Sequence, residues 1–111
     1  MNVKLSPRAL RVRIERAELD TLLASRAITL EVALPRHHAF RINVRPAVIG
    51  GWSLDSDPTG TWIVIPRVEL EALAESLPSR EGLNHAFELN NGTNVDVSLE
   101  VDVRDRKGSD E

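Results

Sequence analysis

Two stretches constrain this chain more than any other feature: "IERAELDTLLAS", which starts at Ile14, and "IPRVELEALAES", which starts at Ile65. Aligned without gaps they are identical at Ile14/Ile65, Arg16/Arg67, Glu18/Glu69, Leu19/Leu70, Leu22/Leu73 and Ser25/Ser76, with Asp20/Glu71 conservative. Leucine at the i, i+3, i+4 spacing is what any amphipathic helix needs to bury one stripe, so the leucines alone say little. A second match is less generic. "HAFRIN" from His38 returns as "HAFELN" from His85, so strand, helix and motif follow one another twice in the same order. The interval between the two matches is four residues shorter in the second half. A deletion between helix and strand explains that difference.

The remaining chain reads as short alternating strands. "LRVRI" sets Leu10, Val12 and Ile14 on one face and Arg11 and Arg13 on the other, the period of a half-buried strand. A helix follows over about residues 16–25, presenting Leu19, Leu22 and Leu23. "ITLEVAL" and "HHAFRINVR" alternate again and are joined through Pro35, as a hairpin would be. "WSL" and "TWIVI" flank "DSDPTG", a second hairpin signal, and the doubly apolar "WIVI" calls for a central strand with Trp62 filling the core. Pro66 begins a second helix over about 67–77, and Asn91-Gly92 marks a third hairpin whose last strand carries Val95, Val97, Leu99, Val101 and Val103.

These elements predict an α+β fold: a mainly antiparallel sheet or partly closed barrel with two helices, in which a βαββ-like unit is duplicated about a pseudo-two-fold axis. With 111 residues, the expectation is a single domain over 1–103, with halves about 10–56 and 61–103, and a disordered polar tail at 104–111.

"RALRVRIERAELDTL", a strand with outward arginines running into a helix with a Glu-Leu pair, resembles the N-terminus of a family of small bacterial proteins of unknown function. "WIVIPRVEL" and the acidic closing strand "VSLEVDV" are similar to that family's central and final segments. A Lys-Asp-Phe run followed by cysteine, associated with the family's closing strand, is absent. The resemblance implies no activity.

Composition narrows the function classes. The net charge of -3 and the presence of only four aromatic residues, Phe40, Trp52, Trp62 and Phe87, disfavour nucleic-acid binding, which needs basic surface and stacking platforms. Without cysteine there is no disulfide framework, thiolate metal site or thiol nucleophile. No apolar run approaches a membrane span, and a cytoplasmic location is expected. No phosphate-binding glycine loop, nucleophile elbow or metalloprotease helix motif occurs.

Three groups of side chains are candidates for a site. Arg11, Arg13, Arg41 and Arg45 would form a basic strip for an anionic ligand if their strands were neighbours, unless Asp96, Glu100 and Asp102 neutralise them across the sheet. Trp52, beside two glycines, is expected to be partly exposed and is a candidate anchor for a partner. His38 and His85, aided by His37, would converge on a metal only if the axis relating the halves passed between them. The leading expectation is a non-catalytic accessory or protein-interaction domain without a cofactor, a homodimer being one form. The alternative is a small-ligand or anion-binding domain using the arginines or a cavity between the halves. A metal-dependent enzyme ranks last.

Overall fold

Among the described residues, alternation of apolar and polar side chains resolves into eight strands and two short helices. The computed structural model describes residues 1–78 and 82–102; Val103 and the expected tail at 104–111 lie outside the described residues. The order is β1 (Asn2–Ser6), β2 (Ala9–Ile14), α1 (Arg16–Leu23), β3 (Ile28–Ala33), a 3-10 turn (Pro35–His37), β4 (Ala39–Ala47), β5 (Ser53–Asp57), β6 (Gly60–Pro66), α2 (Arg67–Glu75), β7 (Leu83–Glu88) and β8 (Asn94–Val101). The fold is α+β. β1 is an addition to the expected set. "NVKLS" is too short to signal by itself, but the turn at Pro7 folds it back so that Val3 faces Val12.

The strands form two open four-stranded sheets, β1-β2-β8-β7 and β3-β4-β6-β5, and neither is a barrel. Each is mixed rather than antiparallel. Its outer pairs are hairpin pairs, while its central pair, β2 with β8 or β4 with β6, is parallel. The chain passes through α1 from one sheet to the other and returns through α2. Each hairpin therefore finds its parallel neighbour in the opposite half of the chain. Alternation specifies which face of a strand is buried and leaves its neighbour open, which is why this pairing was not visible in the pattern.

The two sheets share one pairing scheme. Shifting the first hairpin by 51 residues turns Asn2↔Arg13 into Ser53↔Val64 and Ser6↔Ala9 into Asp57↔Gly60. Shifting the second, β3–β4, by 55 turns Ile28↔Val44 into Leu83↔Leu99. The parallel contacts obey the same two shifts, Val12↔Leu99 corresponding to Ile63↔Val44. The repeating unit of this scheme is thus ββαββ, not βαββ, and its boundary falls between Ala47 and Ser53 rather than at the Asp57–Gly60 bend. The second unit has the longer helix-to-strand connection, Glu75 to Leu83 against Leu23 to Ile28, so a deletion at that place in the second half does not account for the shorter interval.

One expected correspondence is wrong. "HAFRIN" lies at the start of β4, the second strand of its hairpin, whereas "HAFELN" lies in β7, the first strand of its own. By register Phe87 corresponds to Val32, and Phe40 to Val95. Each hairpin places one phenylalanine opposite one valine, Val32↔Phe40 and Phe87↔Val95, in reversed order. The aromatic-valine pair is kept while the strand carrying the ring changes.

A single core joins the halves. Leu10, Val12, Ile14, Val97, Leu99 and Val101 from one sheet meet Ile28, Ile42, Val44, Ile63 and Ile65 from the other, with Leu19, Leu22, Leu70 and Leu73 from the helices. Burying each such side chain contributes about 1.5–3 kcal/mol relative to leaving it in water. α1 packs against α2. At the start of α1, Glu18 Oε1 accepts the Glu15 N–H at 2.9 Å, satisfying an otherwise orphaned donor. Pro66 occupies the corresponding position before α2 and has no N–H to satisfy.

Candidate functional site

The four arginines do not form one strip, because β2 and β4 belong to different sheets. Arg11 and Arg13 project from β2 onto the outer face of the first sheet and share Glu100 on β8, at 3.5 Å to Oε2 and 3.5 Å to Oε1 respectively. Of the three acids weighed as countercharges, Glu100 does this work. Lys4 stands directly opposite Arg11 in the β1–β2 pairing. Asn2, Lys4, Arg11, Val12, Arg13 and Glu100 line a shallow basin of about 70 Å³ with three cations around one carboxylate. On the second sheet Arg41 is held by Glu31 at 2.9 Å, whereas Arg45 makes no ion pair among the described residues.

The two tryptophans exchange their expected places. β6 is central in its sheet, as "WIVI" demanded, but its inward residues are Ile63 and Ile65, so Trp62 points outward. Its partners across the sheet are Asp55 and Asn43. The neighbouring outward position on β6 is Val64. Both are half-buried. The helices enter the core on the opposite, inward side of that sheet, so among the described residues neither helix covers Trp62.

Trp52, by contrast, packs against the core. Its indole N–H donates to Glu69 Oε2 at 3.0 Å. Its ring stacks on His85, with centroids 5.2 Å apart and planes 7° apart, and His85 meets Phe87 edge-on at 4.7 Å. The three rings bridge the edge strands β5 and β7. Trp52 is therefore a closing element between sheets and no free anchor.

His85 faces aromatic carbon on both sides, and by register it corresponds to Leu30, not to His38. His38 is exposed after the 3-10 turn, its carbonyl accepting the Leu34 N–H at 2.9 Å. The axis argument for a shared metal falls with the non-equivalence of the two motifs. Among the described residues no group of three or more His, Cys, Asp or Glu side chains is placed to hold a metal ion.

Between the sheets, at the end away from the helices, runs a groove of about 520 Å³ lined by Leu10, Leu54, Thr61, Phe87, Leu89 and Val95 among others. Leu5, Val32 and Leu34 continue the inward register of their strands yet are 65%, 42% and 44% exposed. The apolar stripe thus runs past the end of the core.

Trp62 was legible only through its face assignment. In a strand apolar on both sides, nothing local says which tryptophan neighbour points in. No described helix is long and apolar enough to cross a membrane. Searches against protein-family models, curated proteins and solved structures find no match to this chain.

Proposed function

We propose that this chain is a non-catalytic protein-interaction domain that binds through the outer face of the β3-β4-β6-β5 sheet, with Trp62 as anchor. The observation that carries this reading is Trp62 itself: a large aromatic side chain on the outward side of a central strand, beside Val64, with neither helix over it. Tryptophan is the residue type most enriched among side chains that dominate binding energy, because it removes a large rigid surface from water. Around it Asp55, Asn43 and Arg45 supply a polar rim, the arrangement of an interface core. A photo-crosslinking side chain placed at position 62 should capture a protein in cell extract, while the same group at Glu75 on α2 should not. Equal capture at the two positions counts against this reading.

A second reading is binding of a small anion in the basin of Lys4, Arg11 and Arg13. Its support is the excess of cations there and the direct opposition of Lys4 and Arg11, a like-charge pair that a bound anion would relieve. Phosphate should raise the melting temperature of the native chain and not of Arg11→Gln. An equal rise in both removes this reading.

The shared register of the two ββαββ units supports an origin by duplication, with the outer faces diverging. Lys4, Arg11, Arg13 and Glu100 on one sheet correspond to Asp55, Trp62, Val64 and Arg45 on the other.

A further inference from the structure

The outer faces of the two sheets carry opposite charges at corresponding positions. On the first sheet one row across the strands holds Lys4, Arg11 and Ser98, and the flanking rows hold Asn2, Arg13 and Glu100, then Ser6, Ala9 and Asp96. On the second the matching rows hold Asp55, Trp62 and Asn43, then Ser53, Val64 and Arg45, then Asp57, Gly60 and Arg41. When one face is laid on the other with corresponding strands antiparallel, the middle rows superpose and the flanking rows exchange. Lys4 then meets Asp55, Arg11 meets Trp62, Asp96 meets Arg45, Glu100 meets Arg41, and Ala9 meets Val64.

Four of these side chains, Lys4, Asp96, Asp55 and Arg45, make no ion pair within the described residues, and all four are exposed. Lys4 and Asp96 on the first face thus fall in places complementary to Asp55 and Arg45 on the second, and Asp57, also without an ion pair among the described residues, falls opposite the uncharged Asn2. Arg11 over Trp62 adds a cation on an aromatic face. Aligned packing of two sheets is an ordinary way to cover such surfaces.

We propose that the partner of the Trp62 face is the outer β1-β2-β8-β7 face of a second copy of this chain. This rests on the interaction reading of that face and adds the partner. The contact joins unlike surfaces, so a joined pair keeps one free face of each kind. Assembly therefore continues head to tail beyond two copies, as an open chain or a ring.

Sedimentation velocity of the purified full chain tests this across concentration and salt. The expected result is a mass that rises past two copies and falls as salt screens the charge pairs. Lys4→Glu and Asp55→Lys should each raise the concentration needed for assembly at least about tenfold. Both sites are exposed, and an unchanged circular dichroism spectrum checks that the variants are folded. Mixing the two variants should restore assembly, because junctions in which they alternate bring unlike charges together; so should combining both changes in one chain. Association that stops at two copies, indifference to either reversal, or failure of the mixture overturns the proposal. A chain that stays monomeric while the crosslinker at position 62 captures a different protein overturns the self-contact and leaves the interaction reading intact. A monomer with no capture above the Glu75 control removes both.

Discussion

The indole N–H of Trp52 lies 3.0 Å from Glu69 Oε2, and the amine of Met1 lies 3.0 Å from Glu18 Oε2. The two bonds are related by the same 51-residue shift as the strands. In each unit a donor ahead of the first hairpin holds the glutamate in the first turn of the helix, using different chemistry for the same link. Trp52→Phe keeps most of the ring packing and loses the donor, so urea unfolding should register a loss of about 1–3 kcal/mol, as for a hydrogen bond to a charged group. Trp52→Ala should cost about 3–5 kcal/mol, because the stack on His85 also goes. Neutral behaviour of Trp52→Phe would show that packing alone fixes this corner.

Leu19 and Leu70 occupy corresponding helix positions and both are fully buried. Leu19→Ala and Leu70→Ala should each cost about 2–5 kcal/mol in equilibrium unfolding. Because α1 packs on α2, the double variant should depart from the sum of the two. Strict additivity would mean that the two helices are held by their sheets independently.

Asp57 gives the β5–β6 turn an acid dependence. Its Oδ1 accepts the Thr59 hydroxyl at 2.6 Å and the Thr59 amide at 2.7 Å, and these bonds hold its carboxyl below the ordinary value, the hydroxyl having the larger effect. A depressed folded value means that the stabilisation is fully present above the unfolded value of about 3.9 and is lost as pH falls through the folded one. NMR titration of the Asp57 carboxyl carbon should show the depressed midpoint in the native chain. In Thr59→Val the midpoint should move back toward the ordinary range.

Gly60 stands opposite Arg41 where the other sheet has Ala9 opposite Asp96. A methyl group at Gly60 would run into the Arg41 carbonyl. Gly60→Ala should therefore lower stability by about 1–3 kcal/mol, read by thermal or urea unfolding. An unchanged midpoint would show that β4 can shift away at no cost.

Much of the fold was legible because burial leaves a period in the sequence. Leu10, Val12 and Ile14, or Leu19 and Leu22, face the core as their spacing requires. Pairing across the sheets was not legible, since the alternation of β2 is equally compatible with β8 or any other strand. The "HAF" repeat misled for a related reason: a phenylalanine opposite a valine is interchangeable between the two strands of a hairpin, so similar words arose on strands that do not correspond. The outward direction of the β2 arginines and Glu100 as a countercharge follow from alternation and composition, whereas the place of Lys4 beside them does not, because "NVKLS" is too short to mark β1. The matched charges of the two outer faces could be seen only once register assigned each residue its counterpart.

The parallel pairing of β2 with β8 also governs how the polypeptide can be made. Val12 cannot meet Leu99 until the polypeptide as far as Leu99 has left the ribosome, so the first hairpin must wait, with its apolar side bare, for the last. Severing the backbone between Ala47 and Ser53 would give two pieces, each lacking half of both sheets. Neither should hold structure alone, and their mixture should regain it.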